Sequence, residues 1–191
     1  MDAPYAGNAL TFLVQVAFGL YILILMLRVM LQLFRADYYN PLTQFVVRFT
    51  EPVLAPLRRV VPRVGQIEGG ALIVMLGAQM LEFWLVLGVR GVEPSLAGLA
   101  VVAVAELLDL CTTVFFWAIL IRVVLSWVNP GSRHPVSDVI HSLTEPVLAQ
   151  ARRALPAMGG FDLSPILVLV GLQLVNLLLI APIRDAGRLL F

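Results

Sequence analysis

Lysine is absent from this sequence; all 13 basic side chains are arginine. Cysteine occurs once, at Cys111, which excludes a disulfide scaffold. Histidine occurs twice, at His134 and His141, and no Cys, His or carboxylate cluster has metal-ligand spacing, so no metal and no cofactor is expected. Charge of either sign is scarce. Charged residues make up 13% of the chain, against about 25% in an ordinary soluble domain. The net charge of +1 excludes a large basic surface for nucleic acid. Walker loops, HExxH and GxSxG are also missing, and no enzyme is expected. What is present is apolar: 60% hydrophobic residues and a mean hydropathy of +0.94. That balance excludes a disordered chain and points to a membrane protein.

A bilayer core about 30 Å thick needs roughly 20 apolar residues in a helix. Four segments qualify: about Leu10 to Phe34, Ala71 to Val89, a third within Leu96 to Val128, and about Ile166 to Ile183. The third is long for one span. It reads best as an apolar lead-in over Leu96 to Ala105, a polar step at Glu106 and Asp109, and a span from Leu110 to Val128. A single tilted helix and a re-entrant lead-in are the alternatives. The start, Met1-Asp2-Ala3-Pro4, has no positive n-region, so segment one is expected to remain as an anchor. Arginines set the orientation. Arg35, Arg48, Arg58, Arg59 and Arg63 follow segment one, and Arg133, Arg152 and Arg153 follow segment three. Both loops are therefore expected in the cytoplasm with both termini outside, and Arg184 and Arg188 argue weakly the other way.

Shifting the chain by 94 residues aligns it with itself without gaps. Thr50-Glu51-Pro52-Val53-Leu54-Ala55 meets Thr144-Glu145-Pro146-Val147-Leu148-Ala149, Arg58-Arg59 meets Arg152-Arg153, and Pro62 meets Pro156. Between Thr50 and Gly65, 10 of 16 positions are identical, which marks a duplication. The copies divide the chain into residues 1–94 and 95–191. Two spans per copy make the copies parallel, with a pseudo-twofold axis expected along the membrane normal.

The connection inside each copy is more repetitive than the spans. Asn40-Pro41 reads as an N-cap followed by proline at the first helical position, with His134-Pro135 as a weaker counterpart. Thr50, with Glu51 and Pro52 behind it, reads as a second helix start. Apolar Val53, Leu54, Leu57 and Val60/Val61 then recur at helical spacing, away from Arg58 and Arg59. Val147, Leu148, Ala151 and Leu155 repeat this against Arg152 and Arg153, and Pro62 and Pro156 end the helices. The expectation is an amphipathic helix lying in the cytoplasmic interface. Its arginines either anchor the hairpin or bind anionic lipid headgroups or an acidic partner.

Several polar residues fall inside the spans. Arg28 and Arg122 are repeat-matched, about six residues or about 9 Å from the loop ends, and read as snorkelling and locking residues or as a pathway. Gln79 and Glu82 share one face of segment two, and Gln173 and Asn176 take the same places in segment four. A matched polar pair suggests a shared axial site or packing glue. Glu82 needs a partner or a proton, and Arg28 or Arg122 is the expected partner. Glu106 and Asp109 are expected at a polar outer edge.

These motifs resemble the YggT family, also called YlmG. The carrying residues are Asp37-Tyr38-Tyr39-Asn40-Pro41, Gln44-Phe45-Val46-Val47, and Thr50 through Pro62 in copy one. In copy two they are Ser126-Trp127, Pro135, Thr144 through Leu148, and Arg152 through Pro165. Copy one departs at Arg63 and at Glu68-Gly69-Gly70. The resemblance covers nearly the whole chain and looks like the two-copy proteobacterial form. It implies a multi-pass protein of the bacterial inner membrane. Members are connected with osmotic-shock tolerance and ion uptake, with cell division and envelope organisation, and, in chloroplasts, with cytochrome b6 haem attachment. No agreed catalytic residues carry over. Two functions follow as expectations: a non-enzymatic scaffold or assembly factor that meets lipid headgroups and other membrane proteins, or a small ion or osmolyte channel, which would need an oligomer.

Overall fold

The computed structural model describes residues 4–128, 134–154 and 162–191. Helix α1 covers Pro4–Leu33, α2 covers Pro41–Leu57, α3 Gly69–Val89, α4 Leu96–Val128 and α5 Pro135–Ala154. The last span is built from α6 (Ser164–Val175), a π-helical turn over Asn176–Ile180 and α7 (Ala181–Arg188). Between α2 and α3 lies a hairpin of two-residue strands, β1 (Arg63–Val64) and β2 (Ile67–Glu68), paired antiparallel with Arg63 opposite Glu68. Its two-residue turn needs a positive φ at the first position, which Gly65 supplies at φ 63°. Among the described residues four helices are long and apolar enough to cross a membrane: Tyr5–Leu33, Gly69–Val89, Leu96–Val128 and Ser164–Arg188. The protein is an all-α membrane protein of two parallel tandem copies. Most of each span's surface is exposed aliphatic and aromatic side chains, as lipid requires in place of water.

Three expectations change. The third apolar segment is one 33-residue helix, because Glu106 and Asp109 find partners and need no break in the helix. Thr50 is not a helix start. Helix α2 runs from its Asn40 cap, whose side chain accepts from the Leu42 N–H, through Thr50 and Pro52 to Leu57. The Thr50 side chain is fully buried and its hydroxyl donates to the Val46 carbonyl, the bond a serine or threonine makes inside a helix rather than at its cap. Pro62 stands beyond the turn that ends α2, and the expected stop at Pro156 lies outside the described residues. The π turn in the last span also has a local cause. Pro182 offers no N–H to the Leu178 carbonyl, and the backbone widens by one residue to pass it.

The spans pack in chain order, α1 on α3, α3 on α4, and α4 on the last span. The contact between α3 and α4 has no counterpart between α6 and α1 among the described residues, so the four spans form an open row and depart from the expected twofold. Besides the packing of α3 on α4, the copies meet through α2 and α5, where the Asn40 side-chain amide donates to the Pro135 carbonyl at 2.8 Å. The main core lies at the loop end of copy one, around Leu25, Met26, Met30, Leu54, Ala71 and Met75. That places the densest packing where the connecting helix meets the spans. At the opposite end α4 and α7 approach closely. A Cβ on Gly187 would stand 2.7 Å from a Val102 methyl, so only glycine lets the helices touch there.

Candidate functional site: two arginine networks and a polar span interface

Arg28 sits about one turn and a half from the loop end of α1, at 2% exposure. An uncompensated guanidinium there would be very costly. Its NH1 donates to the Thr50 hydroxyl at 2.6 Å and to the Val47 carbonyl at 3.0 Å. Its NH2 donates to Glu51 at 3.1 Å and to Glu68 at 2.8 Å. Arg58, which caps the C-terminus of α2, closes the arrangement with 2.7 Å contacts to both Glu51 and Glu68. Two arginines thus share two carboxylates, and α1, α2 and β2 are tied at one point. The Glu68 backbone N–H adds a bond to the Gln32 side chain at 3.2 Å.

Copy two rebuilds this with the residues 94 positions later. Arg122 donates to the Thr144 hydroxyl at 2.8 Å and to Glu145 at 2.6 Å, and Arg152 meets Glu145 at 2.8 Å and Asp162 at 3.5 Å. Thr144, fully buried, donates to the Ile140 carbonyl as Thr50 does to Val46. Every polar position is retained: Arg28/Arg122, Thr50/Thr144, Glu51/Glu145, Arg58/Arg152 and the carboxylate pair Glu68/Asp162. The second network is looser, with Arg122 at 23% exposure and no direct bond from it to Asp162.

The electrostatics follow from the geometry. Burial pushes the Glu68 carboxyl up, but Arg28 and Arg58 outweigh it and hold it below its ordinary value of 4.5. Burial likewise raises Glu145, and the bonds from Arg122 and Arg152 reverse that. Asp162 is held down against burial by its bonds to Ser164 and by Arg152. Burial lowers Arg58, and Glu68 and Glu51 more than restore it. Depressed carboxyls contribute stability that is fully present above their unfolded values. It is lost as pH falls through the lower folded ones. Protease nicking of the loops in detergent should therefore stay flat around neutral pH and rise once pH drops below about 4.5. Nicking that rises already at neutral pH would contradict the assignment.

The remaining polar residues lie nearer the opposite end of the spans. Glu82 does not meet Arg28 or Arg122. It lies 13 residues into α3 from Gly69, about 20 Å from the loop end where both arginines sit, and its partner is the Gln79 amide at 2.9 Å. Gln79 and Glu82 face a cavity of about 370 Å³ on one side of α4, which Gln15, Glu106 and Asp109 also line. Gln173 and Asn176 line a separate cavity of about 210 Å³ with Thr112 and Trp117. The matched polar pairs thus line two neighbouring cavities that share Thr113. Glu106 and Asp109 do not stand at a free edge either. Arg184 meets Glu106 at 2.7 Å and Asp109 at 2.9 Å, and the Asn176 amide donates to Asp109. The sequence carries one sign of this triad: an acidic pair three apart in one span and an arginine in another signal each other. Arg59 and Arg153 are exposed and form no ion pair among the described residues. Among those residues no group of Cys, His, Asp and Glu could hold a metal ion.

The duplicated geometry coincides with a duplicated family pattern. The CCB3/YggT pattern matches residues 7–89 and again residues 101–183. The chain belongs to the CCB3/YggT family. Among its relatives, the YggT protein of Escherichia coli K12, uncharacterized, is 37% identical over 183 residues, covering 96% of this chain and 95% of the relative. An uncharacterized protein of Pseudomonas aeruginosa is 42% identical over 179 residues, covering 91% and 89%. One of Vibrio alginolyticus, described by its place in a proC 3′ region, is 40% identical over 174 residues, covering 90% and 94%. No solved structure matches the chain. Both matched YggT segments contain a complete Arg-Thr-Glu-Arg-carboxylate set, so the network is built once per family unit.

Proposed function

We propose that this YggT protein is a non-enzymatic scaffold or assembly factor of the bacterial inner membrane. The observation that carries it is the duplicated network. Each copy uses its repeat-matched arginine to clamp the connecting helix onto its own span, and the two helices then meet through Asn40 and Pro135. Such a clamp holds a platform rigid at the membrane face, and a pathway residue would not be so fully engaged. The stripe Thr43, Val46, Thr50 and Leu54 of α2 is buried against the protein, while Phe45, Phe49 and Val53 stay exposed beside the arginines. That is the composition of a helix lying in the headgroup region. The platform is cytoplasmic and both termini periplasmic, by the arginine bias of the loops. Arg184, paired with two carboxylates, offers little opposing signal. Arg59 and Arg153 then point to anionic headgroups or to acidic patches on membrane-protein partners, whereas Arg58 and Arg152 serve the clamp. Organisation of division, of membrane-complex biogenesis or of envelope stress tolerance fits such a platform.

The test is crosslinking in cells with Arg59→Glu and Arg153→Glu combined. The expected result is normal insertion with loss of the crosslinked partners. An unchanged partner set from the inserted variant counts against the scaffold.

A transport reading rests on the 370 Å³ cavity with its three carboxylates, Glu82, Glu106 and Asp109. It predicts that cysteines placed along the Gln79 face of α3 react with aqueous thiol reagents, and that liposomes holding the protein pass ions under an osmotic step. Its path runs along α3 and α4 and does not involve Arg28 or Arg122.

A further inference from the structure

Between the loop end of α1, helix α2 and the hairpin opens a cleft of about 1150 Å³. Five arginines line it: Arg28, Arg35, Arg48, Arg58 and Arg63. Its carboxylates, Glu51 and Glu68, are engaged by Arg28 and Arg58. The other three arginines are exposed and form no ion pair among the described residues; Arg35 makes one bond, to the neutral Gln66 side chain. Three like charges around one cleft repel one another unless an anion stands between them.

Comparison of the copies separates clamp from cleft. All five clamp positions survive duplication, but Arg35, Arg48 and Arg63 correspond to Asn129, Ser142 and Ala157. The repeat folds its clamp without them, so their charge is a property of copy one alone. Arg35 also stands where an arginine is unfavourable. It occupies the left-handed position after α1, at φ 52°, with the Ala36 N–H bonded back to the Leu31 carbonyl. Glycine or asparagine is preferred there, and copy two has asparagine. Independently, two deeply buried donors that line the cleft lack partners. The Thr43 hydroxyl, at 5% exposure, and the Arg28 Nε find no hydrogen bond. Buried donors are seldom left unpaired, and an acceptor-rich ligand would satisfy them.

We propose that this cleft binds a phosphate-bearing anion, held by Arg35, Arg48 and Arg63. Arginine's planar fork donates two parallel bonds to phosphate oxygens, and three forks around one opening suit a phosphodiester or a free phosphate. The exposed Tyr38, which lines the cleft, would sit at headgroup level, which makes a phospholipid headgroup one source and soluble phosphate the other. The residues differ from Arg59 and Arg153, and the site stands whether or not the protein is a scaffold.

The experiment uses full-length protein, delipidated in detergent. Native mass spectrometry follows added cardiolipin, phosphatidylglycerol or phosphatidylcholine, and calorimetry follows inorganic phosphate. The variant is Arg35→Gln, Arg48→Gln and Arg63→Gln together, with Arg90→Gln, at the far end of α3, as control and Arg48→Gln alone should the triple variant unfold. The expected result is anionic-lipid binding that falls about a hundredfold in the triple variant and about fivefold in Arg48→Gln, and is unchanged in the control. Binding of inorganic phosphate with the same arginine dependence supports the site and assigns it to a soluble anion. Equal binding of phosphatidylcholine, equal binding by variant and wild type, or no binding of any of these probes overturns the proposal.

Discussion

Arg28→Gln lowers stability in detergent by about 3–5 kcal/mol, because it removes a guanidinium that serves two carboxylates, leaves the nearly buried Glu68 with the more exposed Arg58 alone, and takes a donor from the Thr50 hydroxyl. The equivalent Arg122→Gln costs less, about 1–2 kcal/mol. Both substitutions remove the same kind of bond. What differs is the surroundings: Arg28 contacts two carboxylates and is almost fully buried, while Arg122 contacts one and is partly open to solvent. Denaturant titration of the two variants side by side checks this. Equal losses would mean that the clamp's energy lies in its hydrogen bonds alone and that burial adds nothing.

The second large effect lies in the spans. Arg184→Leu leaves Glu106 and Asp109 facing each other without a cation, at a cost of about 3–5 kcal/mol. Neutralising all three, with Arg184→Leu, Glu106→Gln and Asp109→Asn, recovers much of that loss, since no bare charge remains. The combined variant should thus be more stable than the single one. Strict additivity of the separate changes would show that the three side chains do not act as a unit.

Much of this architecture is legible in the amino-acid sequence. Length and hydropathy mark the spans because lipid demands unbroken apolar helices. The 94-residue shift marks the copies, and Asn40-Pro41 marks the start of α2 by local chemistry alone. Thr-Glu-Pro misled for a physical reason. Read locally, it is a helix start. In the fold, Arg28 reaches it from another helix, and that partner turns an N-cap signature into a mid-helix docking point. The arginine partner expected for Glu82 does not materialise, because spacing along two spans hides which membrane face each residue approaches, and Glu82 meets Gln79 instead. Glu68 is the least legible of these residues. It looks like a departure of copy one, yet it matches Asp162 acid for acid and completes the network. The Arg184 triad has no counterpart in copy one, where Phe12 and Gln15 stand opposite Glu106 and Asp109, so the repeat offered no guide to it.

The central claim is that Arg28 and Arg122 each clamp the helix of their own copy onto its span. Hydrogen–deuterium exchange in lipid nanodiscs tests it most directly, on wild type, Arg28→Gln and Arg122→Gln. The account predicts that Arg28→Gln deprotects α2 and the following hairpin, that Arg122→Gln deprotects α5, and that the spans stay protected in both. Helices α2 and α5 that keep wild-type protection in both variants would contradict it.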